Sequence, residues 1–163
     1  MQHDQVMRVL NAPLSQALLG SNIPARLAYT GRDGRPRVIP IGFHWNGAQF
    51  VVCTLPHAAK VPALQANPHV ALTIDTITFP PHVLLVRGTA SIEVVDGVPP
   101  EYLEASRKSV GAEQWDAFEQ QVRGLYQQMA RITIEPEWAK LLDFETTLPS
   151  AVEQLINRRP LPS

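Results

Sequence analysis

The dipeptide Asn46-Gly47 constrains this chain more than any other pair of residues. It sits between two apolar-rich runs, Arg37–Trp45 and Gln49–Leu55. A two-residue hairpin turn needs positive φ at its centre, and Asn-Gly supplies that at little steric cost. The two runs are therefore expected as antiparallel neighbours. A second turn, Gly31-Arg-Asp-Gly34, stands between the strand Ala25–Thr30 and the first of those runs. Three consecutive strands joined by tight turns exclude a parallel sheet, which needs long crossovers. Pro40 has no N–H for a ladder, so its strand must be an edge or bulged near that point.

Upstream, Val6, Val9, Leu10, Leu14, Ala17 and Leu18 keep helical spacing across Pro13, which predicts two short helices ending at Gly20. Downstream, Lys60–Ala66 reads as a short helix stopped by Asn67-Pro68. Val70, Leu72 and Ile74 alternate with polar or small residues and predict a half-buried strand. Val83–Val95 is the longest strand, with Leu84, Val86, Ala90, Ile92 and Val94 expected on one face. Gly88 in its middle predicts a bend. Pro99-Pro100 opens a helical insertion over about 99–129, in which Trp115, Phe118, Val122, Leu125, Tyr126 and Met129 share one helix face. A last strand, Arg131–Glu135, is expected to end before Pro136, and Pro149–Asn157 to form a final helix. The whole reads as one α+β domain over residues 1–163, mainly β, with an antiparallel barrel and flanking helices.

Composition narrows the function. The formal net charge of the 163 residues is −1, so no overall field recruits nucleic acid or an anionic membrane. Charged residues make up 18%, below the roughly 25% of typical domains, which leaves apolar surface for a subunit interface. Cys53 is the single cysteine, so no intrachain disulfide forms. The N-terminus lacks a basic start followed by an apolar run, and no stretch has the roughly 18 apolar residues of a membrane span. A cytoplasmic location is the expectation. The five histidines have no metal-ligand spacing, and G-x-S-x-G, a phosphate loop and C-x-x-C are absent.

The chemistry concentrates in Thr54-Leu-Pro-His-Ala-Ala-Lys60, which joins a strand end to a helix start. A hydroxyl, an ammonium and unpaired helix-start amides converge there, which suits a phosphate. Arg37 on the neighbouring strand adds a guanidinium able to grip phosphate oxygens in pairs. The alternative is that Lys60 and Arg37 are solvated surface charges.

The run DGRPRVIPIGFHWNGAQFVVCTLPHAAKVPALQANPHVALTID resembles the core of the pyridoxamine 5′-phosphate oxidase-like, flavin-binding split barrels. The matching features are the DG-P turn, the proline of the second strand, the strand-ending Thr, a Lys six residues later, L-x-x-NP-x-VAL, and Val86-Arg-Gly-Thr-Ala90. The resemblance implies a six-stranded antiparallel split barrel that forms a homodimer, with flavin mononucleotide (FMN) in a groove at the subunit interface. Arg37, Thr54 and Lys60 would hold the phosphate. Val38, Ile39 and Pro40 would run beside the flavin, with Cys53 close by and Ala59 preceding the lysine. His82 and Val83 would approach the ring system from the side. The implied activity is an oxidoreductase acting on a small molecule. The alternatives are a deazaflavin-dependent reductase, for whose acidic tail Arg32, Arg35 and Arg87 offer a basic groove, and a non-catalytic flavin or haem binder using His44 or His82. The chain departs from pyridoxamine phosphate oxidases proper at Ala59, where they have Arg, and at Gly42, where they have Lys. Their C-terminal segment of Trp and Arg residues that closes over cofactor and substrate also has no counterpart in LLDFETTLPSAVEQLINRRPLPS. Oxidation of pyridoxine phosphate itself is therefore not expected.

Other candidates read as structural. Cys53, in an apolar strand, is expected as a small core hydrophobe. Trp115, Phe118, Tyr126 and Trp138 are expected in packing.

Overall fold

The computed structural model describes residues 1–158; the last five residues of the expected 1–163 domain lie outside it. Two helices lead, α1 (His3–Leu10) and α2 (Pro13–Gly20). Then come β1 (Ala25–Thr30), β2 (Pro36–Ile41), β3 (His44–Trp45), β4 (Phe50–Thr54) and α3 (Lys60–Ala66). The chain continues through β5 (His69–Asp75), β6 (Val83–Asp96), α4 (Pro100–Arg107), α5 (Trp115–Leu125), β7 (Gln128–Leu142) and α6 (Ser150–Asn157).

All strand pairs are antiparallel, in the order β2-β1-β5-β6-β7-β4-β3. β2 and β3 stand at opposite ends of that order, yet only Gly42 and Phe43 separate them in sequence. So short a link is possible only if the sheet is rolled on itself, and the unpaired seam between β2 and β3 makes the barrel a split one. The same two residues explain why there are seven strands among the described residues rather than six. Phe43 leaves the ladder and turns into the core, 1% exposed, against Phe50 at 5.6 Å between ring centroids. Pro40 lies on β2, which pairs with β1 alone, as an edge-strand proline should.

The main core takes Leu27, Phe50, Val52, Leu72, Ile74, Leu84, Val86, Ile132 and Ile134 from the strands, and Val6, Leu10, Leu18 and Leu19 from α1 and α2. Each such side chain stabilises the fold by about 1.5–3 kcal/mol when fully buried. Val94, expected on the inward face, is instead largely exposed, because β6 outruns the barrel towards its C-terminal end.

β7 continues through Pro136 to Leu142 instead of ending at Glu135. Its register with β6 shifts between Arg87 and Gly88: Arg87 faces Trp138, and Gly88 faces Pro136. Glu137 is thus the extra residue of a bulge, where a proline costs no ladder bond. Gly88 is required there, since a Cβ would stand 2.2 Å from the carbonyl oxygen of Glu135. The predicted bend is this bulge.

The helical insertion is the connection of the β6–β7 hairpin, and its neck is closed by the Gly97 amide donating to the Gln127 carbonyl at 2.7 Å. It has its own small core of Val98, Leu103, Trp115, Val122 and Met129. Met129 belongs to β7, not to the preceding helix, which ends at Leu125. Once past Tyr126, the backbone gains more from pairing with Asp96 and Val95 than from another helical turn. The insertion packs through α4 on β3 and β4. Lys108, at the end of α4, fastens it: its ammonium donates to the Leu19 carbonyl at 3.0 Å and lies 3.7 Å from the centroid of the Phe43 ring. No helix among the described residues is long and apolar enough to cross a membrane.

Candidate functional site

Thr54 ends β4, held there by pairing with Ala130 of β7, and Lys60 opens α3. Between them Leu55–Ala59 turns tightly, with the Ala58 amide donating to the Leu55 carbonyl at 3.0 Å and Val61 to Ala58 at 2.9 Å. That turn returns Lys60 to the strand end, where its Nζ donates to Thr54 Oγ1 at 3.2 Å. A threonine oxygen that accepts from an ammonium keeps its own hydrogen to donate elsewhere. The pair is therefore a set of donors with spare capacity. Among the described residues no carboxylate lies within ion-pair distance of Lys60, and burial holds its ammonium below the ordinary lysine value. A half-buried, uncompensated cation of this kind favours an anionic partner.

Arg37 reaches the other side of the α3 start. It faces Tyr29 across the β1–β2 ladder and lines a concavity of about 340 Å³ together with Tyr29, Gly31, Arg32, Asp33, Ala59, Pro62 and Ala63. Its guanidinium is held by the turn: Nη2 donates to Asp33 Oδ2 at 2.7 Å, and Nη1 to the carbonyls of Arg35 and Pro36 at 3.4 and 3.3 Å. The Arg37 bond, with help from the Arg35 amide, keeps the Asp33 carboxyl below its usual value. The sequence reading marked Asp33 only as a turn residue. Its position four residues before Arg37, across a turn, was the signal that the two would meet.

Val38, Ile39 and Pro40 form the free edge of the sheet. Ile39 packs inward on the main core, while Val38 and Pro40 face outward, Val38 64% exposed. An edge strand presents an unpaired row of backbone groups, so this stretch is open to a ligand lying along it.

Cys53 does not share the Thr54 face. It points to the opposite side of β4, under the insertion, and packs against the insertion's small core of Val98, Leu103, Trp115, Val122 and Met129. Burial, then the nearby Glu101, pushes its thiol up to about 12, so it is a packing group and no nucleophile at neutral pH. Behind it Arg131 bridges Glu93 at 2.6 Å and Glu101 at 3.3 Å.

His82 and Val83 stand apart from these residues. Val83 opens β6, directly after His82, and faces Asp75 and Leu142, whereas Thr54 lies over the far end of β6, through Ala130 and Val94. The His82 amide and carbonyl both bond Thr76, closing the loop between β5 and β6. Within one chain they do not join the Thr54–Lys60 pair. Nor does Arg87 join Arg32 and Arg35: it faces outward and stacks on Trp138 at 4.3 Å. Trp138 is accordingly half-buried on the outer side of β7 rather than in the core.

Sequence reading missed Lys108 altogether. Its partners Leu19 and Phe43 lie far away in the chain, and the one available signal was its rarity as one of three lysines.

The profile of the pyridoxamine 5′-phosphate oxidase family matches residues 13–141. No curated protein sequence matches the chain. Among solved structures, an F420 reductase superposes with a TM-score of 0.59 at 23% identity, over 77% of this chain and 94% of that one. The haem storage protein HutZ from Vibrio cholerae gives 0.56 at 20% identity, over 80% and 92%. An FAD-binding protein from Mesorhizobium loti gives 0.51 at 19% identity, over 77% and 87%. Identities this low establish a shared fold and leave ligands open. With the profile spanning most of the chain and the split barrel in place, the protein belongs to the pyridoxamine 5′-phosphate oxidase family.

Proposed function

We propose that the protein binds a flavin-type cofactor by its phosphate and acts as an oxidoreductase on a small organic molecule. The observation that carries this reading is the Lys60–Thr54 pair, a convergent donor set with no carboxylate among the described residues to neutralise it, beside the open edge of β2. The donors fit a phosphate by number and type. A flavin, when bound, supplies hydride and electron transfer; the chain supplies position and electrostatics. Lys60 and Thr54 hold the phosphate. Arg37 closes the opposite side, once it shares its guanidinium between Asp33 and the ligand. The β2 backbone at Val38–Pro40 lies along the cofactor, and Ile39 anchors that edge to the core. The solved structures with this fold include an F420 reductase and an FAD-binding protein, which supports a flavin-type group without choosing among them.

The site is half of a larger one in this reading. His82 and Val83 lie at the far end of β6, so they reach a cofactor only if a second copy brings its own β6 to this groove. FMN at the seam of a homodimer is the form we propose.

The test is a visible spectrum of the purified protein, with mass spectrometry of whatever heat releases, and sedimentation for the oligomeric state. A yellow dimer that releases a flavin and is bleached by NADH or NADPH supports the reading. A colourless protein that also fails to bind added FMN overturns it, and a haem spectrum replaces it with a non-catalytic binder.

A further inference from the structure

Past Ile134, β7 leaves β4 behind and pairs with β6 alone. Helix α1 packs on β7 without closing the space beside that second half. Between them lies a cavity of about 480 Å³. Val9 and Ala12 wall it from the helical side and Trp138 and Leu141 from the strand, with Lys140 and Thr147 beside them. Its volume falls within the roughly 300–1,000 Å³ of sites that hold drug-sized molecules. Neither Thr54 nor Lys60 lines it, so it is separate from the phosphate site.

The walls are held in place by contacts of their own. Val9 and Leu141 pack on the main core. Trp138 is fixed by Arg87, whose guanidinium carbon lies 4.3 Å from the ring centroid. A ligand that enters such a pre-formed space demands little rearrangement. A flat aromatic ring gains most, because it stacks offset or edge-on against the indole in addition to the apolar area it buries.

The charges around the cavity are already engaged. Lys140 Nζ donates to Ser150 Oγ at 3.1 Å and stands 4.0 Å from Glu153. Asp143, which also lines the cavity, accepts from the Thr146 hydroxyl and from the amides of Glu145, Thr146 and Thr147. Those bonds, the Thr146 hydroxyl first, hold its carboxyl well below the usual carboxylate range. An ionic ligand would therefore shed water here without meeting an unengaged opposite charge. A neutral one still finds a polar contact. The Thr147 hydroxyl makes no hydrogen bond among the described residues and is free to donate to a carbonyl oxygen.

We propose that the cavity between α1 and the second half of β7 is a binding site for a neutral, flat aromatic molecule that carries a carbonyl group. The inference does not rest on the flavin reading, since it uses none of the residues assigned to the phosphate.

The test is calorimetric titration of the purified full chain with naphthalene-2-carboxamide. Naphthalene-2-carboxylate is the charged control and cyclohexanecarboxamide the non-aromatic one. The carboxamide should bind saturably, one per chain, about tenfold tighter than either control. Trp138→Ala, which removes the stacking wall, and Ala12→Phe, which fills the space from a half-buried position, should each weaken it about tenfold. The second variant removes no packed side chain, so the test survives if Trp138→Ala fails to fold. No saturable binding, a control that binds as tightly, or an affinity that Ala12→Phe leaves unchanged overturns the inference. Displacement of the carboxamide by FMN also overturns it, by moving the probe to the flavin groove.

Discussion

Replacing Gly88 by Ala tests the barrel where its two longest strands cross the bulge. The added Cβ would meet Glu135 O at 2.2 Å, Glu135 C at 3.0 Å and Ile134 Cγ2 at 3.1 Å. Two of those atoms are backbone in the middle of a ladder, so no side chain can swing aside. Relief requires β6 and β7 to part by about 1 Å, which costs about 1–3 kcal/mol of overpacking strain. One or two adjacent ladder bonds, each worth about 0.5–1.5 kcal/mol, weaken as well. Alanine returns about 0.4–1 kcal/mol by restricting the unfolded chain. The net loss is about 2–4 kcal/mol, and for a domain of this length the midpoint falls by about 5–15 °C. Gly124→Ala is the matched control: it lies in α5 with nothing within 4 Å of its would-be Cβ, so it should gain about 0.5–1 kcal/mol from helix propensity. Thermal melts followed by far-UV circular dichroism read both. If Gly88→Ala melts within 2 °C of the wild type (about 1 kcal/mol or less), or if the two variants shift in the same direction, the close approach at the bulge is refuted.

Three further outcomes are expected. Lys60→Ala should lose a charge-assisted contact of about 1.5–3 kcal/mol, a roughly ten- to hundredfold weaker hold on FMN measured by fluorescence titration; unchanged affinity would return Lys60 to a solvated surface charge. Burial pulls the Lys108 ammonium down to about 8, so the native state holds fewer protons than the unfolded chain between about pH 8 and 10.5. Stability therefore rises with pH across that window, by no more than about 1 kcal/mol once screening of the exposed part is counted, and Lys108→Met should flatten the rise in denaturant titrations at pH 7 and 9.5. The Cys53 thiol, packed beneath the insertion and pushed up to about 12, should resist a thiol reagent at pH 8 until denaturant is added; prompt labelling of the native protein would show that α4 and α5 do not cover β4.

What could be read from the sequence was what is local. The turns Gly31–Gly34 and Asn46–Gln49, the full span of β1 and the start of α3 at Lys60 all follow from residues within a few positions of one another. The Thr54–Lys60 pair is also local, six residues across one turn, which is why a phosphate site was visible at all. Errors arose where a distant strand changed the meaning of a local signal. Pro136 reads as a strand end until Gly88 supplies the bulge that accommodates it. The spacing that carries a helix to Met129 is correct as a pattern, yet pairing with β6 wins beyond Tyr126. Lys108 meets Leu19 across 89 residues, and nothing near either one announces it.

The geometry also separates two roles that the sequence places side by side. Cys53 and Thr54 are neighbours in β4, but a strand turns adjacent side chains to opposite faces. Thr54 therefore joins Lys60 at the start of α3, while Cys53, half-buried, lies under a helical cover that has its own core and its own fastening at Lys108. Cofactor affinity and insertion docking should consequently respond to different substitutions. Lys60→Ala should weaken a flavin without altering thermal stability by more than its exposed charge allows. Lys108→Met should change the docking of the insertion without altering the phosphate contact. If Lys108→Met weakened FMN as much as Lys60→Ala does, the two faces of β4 would be coupled through the strand, and the division of labour drawn from its alternation would be wrong.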